Sequence, residues 1–287
     1  MIPLTDYPVI APHHAFRRPP RWVVLAGAVG AASAVAITGC SGGTSNSSAN
    51  STSPAQKAIK LAASRSQEVN TLTAKLTEHS TGRAMSGLTG TIQIQLKPTT
   101  VIAAKFIVPA KKSSSIKLEE ILTSKAIYFK DPAFTKDAGK AWVTVKISQL
   151  SSKTGVSVAS LLQNLEGSNP LDQTRLFTAS KDVKVVGSQA VNGVATTEYA
   201  GTYSPAAAFA QLPANMRKLL GPTLRDMGTK PVRFTVWIDA QHLIRKAQDT
   251  EVVNGQTFST TFDVTSINRP LHIKLPAPSQ IAPMPKL

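Results

Sequence analysis

Cysteine is almost absent: Cys40 stands alone in 287 residues. No intrachain disulfide framework is open to the chain, so its fold must be held by a core. Acid is scarce as well, with 16 Asp and Glu against 32 Lys and Arg and a formal net charge of +16. The lysines are dispersed, their densest pair being Lys111-Lys112, and no basic cluster is interleaved with exposed aromatics. That pattern argues against a nucleic-acid reader and leaves anionic lipid, cell-wall polymer or plain solubility as what the charge serves. Catalytic signatures are missing too. There is no G-x-S-x-G elbow, no HExxH helix and no glycine-rich phosphate loop. Ser114-Ser115-Ile116-Lys117 and Lys153-Thr154-Gly155 match S-x-x-K and K-T-G in form. The S-D-N element between them is absent, however, and the serine precedes a strand pattern instead of opening a helix. Glu119 and Glu120 are adjacent and would point to opposite faces of a strand, so they make no acid/base pair. His79, His242 and His272 sit in no ligand spacing, so neither a metal nor a cofactor is expected.

What is present begins with the leader. Arg17, Arg18 and Arg21 precede an uncharged run from Trp22 to Ala36, about fifteen residues and short of the ~20 that a membrane-spanning helix needs. Small residues then lead to Ile37-Thr38-Gly39-Cys40. This is the layout of a secretory signal ending in a lipobox, in which the cysteine is acylated and becomes the first mature residue. Residues 1–39 therefore read as a signal peptide with an N-terminal extension. Residues 40–53 read as the lipidated cysteine and a Ser/Gly-rich tether. The expected location is the extracytoplasmic face of the cell membrane, held by the lipid anchor.

Behind the tether, Ser53-Pro54 forms a helix start, and Ala55, Ala58, Ile59, Ala62, Ser66 and Val69 share one helical face. Alternation then takes over. Leu72, Ala74 and Leu76 alternate with polar residues, as do Leu88, Gly90, Ile92, Ile94 and Leu96. Ile102 to Val108, 116–123, 126–130 and 141–147 continue the theme. This is the pattern of antiparallel strands with one buried and one wet face. Val158, Leu161, Leu162 and Leu165 predict a helix in the middle, and Pro170 to Phe177 a short second one. Asn192-Gly193 marks a hairpin. Ser204-Pro205 opens a helix carrying Phe209 and Leu212. A three-strand meander follows, through Val232 to Ile238, Leu243 to Val253 and Phe258 to Val264. The tail from Pro270 to Leu287 holds five prolines and is expected to be extended and largely outside the sheet. Short turns join about ten strands. The expected class is α+β: a single large curved antiparallel sheet, a half-barrel, with helices covering its concave face.

Several segments in order carry a resemblance. They are Glu119-Glu120-Ile121-Leu122 leading to Ala126-Ile127-Tyr128-Phe129-Lys130, then Lys140-Ala141-Trp142-Val143, and Val191-Asn192-Gly193-Val194-Ala195-Thr196-Thr197-Glu198-Tyr199. Val236-Trp237-Ile238-Asp239 ahead of Leu243-Ile244-Arg245-Lys246 completes the set. With the lipobox and tether, the chain is similar to the actinobacterial LppX/LprA/LprF/LprG lipoproteins. It is more distantly similar to the LolA and LolB lipoprotein carriers. The resemblance covers residues 54–276, leaving 277–287 as a Pro-rich tail. It implies an apolar cavity between sheet and helices for an acyl lipid or glycolipid ligand, a role in lipid transport, no catalysis, and envelope transporter proteins as partners. Only Cys40 carries over as a functional residue. The cavity-lining candidates come from strand and helix phase: Ile92, Ile94, Leu96, Phe106, Leu161, Leu162, Leu165, Phe209, Leu212, Phe234, Val236, Phe258 and Phe262. The alternative is an envelope interaction or adaptor lipoprotein of the same fold with a solid core and no lipid ligand.

Overall fold

A computed structural model describes residues 52–81, 87–109, 115–149, 170–212, 217, 230–253 and 255–284. Cys40, the leader, most of the tether and the helix expected around Leu161 to Leu165 lie outside the described residues.

The chain opens with α1 (Pro54–Arg65), whose start is a capping box: Ser53 Oγ accepts from the Gln56 N–H, and Gln56 Oε1 accepts from the Ser53 N–H. Satisfying two orphan donors in this way stabilises a helix start by about 1 kcal/mol. Ala55, Ile59, Ala62 and Ala63 form its buried face. A 3-10 turn over Ser66–Glu68 leads into six strands: β1 (Thr71–Ser80), β2 (Leu88–Gln95), β3 (Val101–Val108), β4 (Ile116–Thr123), β5 (Ala126–Lys130) and β6 (Trp142–Lys146). The short helix α2 (Pro132–Ala138) separates the last two. A 3-10 segment, Pro170–Ala179, precedes the hairpin of β7 (Lys184–Val191) and β8 (Val194–Tyr203). Its turn places Asn192 and Gly193 at φ of 50° and 80°, the left-handed pair that a two-residue hairpin requires. Then come α3 (Pro205–Gln211), β9 (Val232–Asp239), β10 (Ile244–Val253), β11 (Gln256–Ile267) and β12 (Ile281–Pro283).

All twelve strands join one open sheet in the order β12-β6-β5-β4-β3-β2-β1-β11-β10-β9-β8-β7. Every pairing is antiparallel except β12 with β6. The β1–β11 pairing closes the chain's two halves into this sheet, setting Leu76 opposite Phe262 and Glu78 opposite Thr260. The β9–β10 turn is locked by Asp239. Its carboxylate accepts from the backbone N–H groups of Gln241 (2.9 Å) and Leu243 (2.8 Å) and from Arg245 Nε (2.6 Å).

The two faces differ. The inner face carries the main core, which runs from Ile127 on β5 to Tyr203 on β8 and takes in α1, the 3-10 segment Pro170–Ala179 and α3. The outer face carries a small second cluster of Ala103, Ile121 and Trp142, with Val101, Tyr128, Ile273 and Ile281 packed against it. The proline-rich tail runs largely outside the sheet: it leaves β11 at Asn268 (φ 51°), lays Ile273 on the outer face and joins the sheet only with Ile281–Pro283, β12 beside β6. Pro283 is compatible with a strand here because β12 is the sheet edge. α2 was not foreseen; seven residues leave no apolar period to read.

Candidate functional site

Strand registers arrange the inner face in cross-strand rows. One row runs Val236–Ala247–Phe262–Leu76–Gly90–Phe106–Leu118. A second runs through Ala74, Ile92, Ala104, Glu120 and Phe129. A third runs through Leu72, Ile94, Ile102, Leu122 and Ile127. The alternation of each strand has thus delivered its apolar phase to one surface.

Of the cavity-lining candidates, Ile92, Ile94, Phe106, Leu212, Phe234, Val236 and Phe262 are buried in this core. Leu96 and Phe209 pack against it while remaining partly exposed. Phe258 lies in the same phase, opposite Ser80 and Glu251 at one end of the sheet, and is half-buried. Leu161, Leu162 and Leu165 lie outside the described residues.

The inner face is not uniform. Over β8 and β9 it is filled. Phe177 of the 3-10 segment stacks on Phe234, with ring centroids 4.4 Å apart and planes 7° from parallel, and Tyr203 leans on both rings at 6.1 Å. Gly201 makes room there: a Cβ would lie 2.7 Å from Ser180 Oγ and 3.1 Å from the Phe234 ring. Gly90 has the same role under Phe106, where a Cβ would sit 2.4 Å from the ring and 2.8 Å from the Lys105 carbonyl oxygen. Over β3–β5, Ile102, Phe106, Leu122 and Ile127 are buried in the core, whereas Ala104, Val108, Leu118 and Phe129 join it only in part, which makes this the looser stretch.

Sequence pattern alone did not single out the polar groups on this face. Glu78 breaks the apolar phase of β1 and is only 6 % exposed. Its Oε2 and that of Glu251 are both buried without a hydrogen-bond partner. Burial, and after it the charge of Glu251, pushes the Glu78 carboxyl up to about 7. Glu120 faces inward at the level of Ala104 and Phe129, and burial there also raises it to about 7. The signal was present, since an acid occupies the inward phase in Leu76-Thr77-Glu78. Glu119 behaves oppositely on the outer face. Burial works to raise it, but Lys130 (2.9 Å) and Lys105 (3.4 Å) outweigh that and hold it below the usual carboxylate range. The two neighbours therefore do point to opposite faces.

Among the described residues, no group of three or more His, Cys, Asp or Glu side chains could hold a metal ion. No helix among them is long and apolar enough to cross a membrane. His242 lies in the β9–β10 turn at φ 61°.

No family model matches the chain. A 31.2 kDa protein from the rplA–rplJ intergenic region of Streptomyces griseus is 29 % identical over 150 residues, which is 48 % of this chain and 49 % of that protein. The chain thus spans about half the length of the curated relative it matches. Two solved structures are similar. LprF from Mycobacterium bovis has a TM-score of 0.47 at 15 % identity, covering 79 % of this chain and 100 % of that one. The lipoprotein LppX of Mycobacterium tuberculosis has a TM-score of 0.41 at 17 % identity, covering 76 % and 97 %. Both bear names of the group that the sequence resembles. At those scores the likeness carries no argument about ligand or activity.

Proposed function

We propose that this chain is an exported envelope lipoprotein, acylated at Cys40, that binds acyl lipid or glycolipid against the inner face of its sheet and helps to move it. The observation behind the reading is the looser half of that face. Val108, Leu118 and Phe129 continue the apolar rows of the core yet stay partly exposed. An acyl chain laid along them would gain ~0.8 kcal/mol for each CH₂ removed from water. A chain of lipid length would gain on the order of 10 kcal/mol before ordering costs, with no polar contact needed. Glu78 and Glu120, raised to about 7 and so largely protonated below neutral pH, would offer hydroxyl donors and acceptors to a headgroup at the margin of such a ligand.

A second reading is favoured by the packed half. The Phe177–Phe234–Tyr203 stack is ordinary solid core, as an adaptor without ligand would have. Native mass spectrometry separates the two. The full chain bearing Cys40→Ser, purified from an actinobacterial host, should carry a co-purifying acyl lipid adduct. A ligand-free mass together with a stoichiometric protein partner supports the adaptor instead.

A further inference from the structure

One part of the surface combines positive charge with exposed apolar side chains. The outward side of α1 presents Lys57, Lys60 and Leu61, the last 41 % exposed. The helix contains no acid, and the nearest, Glu68, is held by Arg65 at 2.7 Å. α1 packs beside the sheet-edge strand β7. Gln56 Nε2 ties it to the segment leading into that strand by donating to the Ser180 carbonyl at 3.3 Å. The next residues, Lys181 to Lys184, bring two more exposed lysines. The acid between them, Asp182, is exposed and held ionised below the usual carboxylate range, because Thr202 donates to it from its N–H and its hydroxyl, and Ser180 from its hydroxyl, each at 2.8 Å. Val185, in register with Tyr199 and so on the helix-covered side, is 57 % exposed.

We propose that the outward side of α1 and the adjoining edge of β7 form the surface on which the domain lies against an anionic bilayer. Charge complementarity favours this occupant, because Lys57, Lys60, Lys181 and Lys184 outnumber the one exposed acid among them, Asp182, and accompany the exposed side chains of Leu61 and Val185. The chain's direction favours it too. The described structure begins one residue before the α1 cap, and thirteen residues separate Cys40 from α1. A Gly/Ser-type stretch of that length has a reach of roughly 20 Å. An anchor at Cys40 would thus keep this surface, before any other, close to the headgroups. A protein strand pairing with β7 is disfavoured by the bulge between Val185 and Gly187 and by Lys184 on the edge. The proposal rests on the envelope reading above and deepens it.

The test is co-sedimentation of the full-length Cys40→Ser chain with vesicles of phosphatidylcholine alone or with added phosphatidylglycerol. The chain should prefer the anionic vesicles. Lys57→Glu/Lys60→Glu/Lys184→Glu should weaken that binding on the order of a hundredfold, from about fivefold per lysine at a charged surface. The same charge change at Lys117, Lys146 and Lys274 should weaken it far less. Equal loss in both triple variants, or no preference for anionic vesicles, overturns the assignment. In high salt the residual binding should fall with Leu61→Asp and Val185→Asp; unchanged residual binding overturns the role given to those two side chains. Lipid extracted from the same variants reports separately on ligand binding. Surface variants that lose vesicles but keep ligand leave the carrier reading intact, whereas a ligand-free parent that still binds vesicles fails only the carrier reading.

Discussion

The two halves of the inner face are built from the same alternation and end in different states. Over β8 and β9, α1, the 3-10 segment and α3 close down on a stack of three aromatic rings. Over β3–β5, Ile102, Phe106, Leu122 and Ile127 are buried, but Ala104, Val108, Leu118 and Phe129 of the same phase stay partly exposed and share the surface with Glu120. Strand alternation decides which face is apolar. The helices decide which part of that face becomes core. A half that is fully packed contributes stability, whereas a half that is apolar and incompletely packed has surface left for something else.

The sharpest way to break this comparison is a pair of truncations. Phe234→Ala should cost about 3–5 kcal/mol in denaturant unfolding, since it opens a void beneath Phe177 and Tyr203. Phe129→Ala should cost less, about 2 kcal/mol, because the ring packs on the core while staying partly exposed. Similar costs at both sites would erase the distinction between the halves.

The next effect is electrostatic. Glu78 has a carboxyl raised from 4.5 to about 7, so its neutral form is the one the fold prefers. Its stabilising contribution is complete below pH 4.5 and is lost as pH rises through about 7. Glu78→Gln should therefore raise stability at pH 8 by about 1–3 kcal/mol and flatten the slope between pH 5 and 8 seen in thermal melts. Glu120 is raised to about 7 by burial alone, so Glu120→Gln should act in the same direction and by a similar amount. A wild-type chain that gains stability across that range would contradict both assignments.

Gly90→Ala should cost about 1–3 kcal/mol, because the added methyl meets both the Phe106 ring and the fixed Lys105 carbonyl. The smallest expected effect is at Ile273→Ala, about 1 kcal/mol, from thinning the outer cluster where the tail lies on β3–β6.

Much of this fold could be read from the residues. The bounds expected for β4 and β5 match those observed, and Ser124-Lys125 marks the short turn between them. Ser53-Pro54, Ser204-Pro205 and Asn192-Gly193 mark caps and a hairpin by local chemistry, which needs no tertiary partner. β12 could not be read that way. Ile281-Ala282-Pro283 becomes a strand only because Asn268 and Ile273 carry the tail across the outer face to an unpaired edge. The candidate site was half legible for the same reason. Phase placed Ile92, Phe106, Phe234 and Phe262 on one face, but it could not say that Phe177 would fill the space above Phe234 and leave Leu118 uncovered in part. Those outcomes depend on where the 3-10 segment docks, a contact between residues 57 positions apart in the chain.

The central claim, that the looser half of the inner face is where lipid lies, is tested most directly by native mass spectrometry of three full-length Cys40→Ser chains prepared in parallel. One has no further change, one adds Leu118→Glu and Phe129→Glu, and one adds Phe234→Leu. The account predicts an acyl lipid adduct on the first and third, and its loss from the second with the fold retained by circular dichroism. An adduct that survives Leu118→Glu and Phe129→Glu, or a parent chain that carries none, would contradict it.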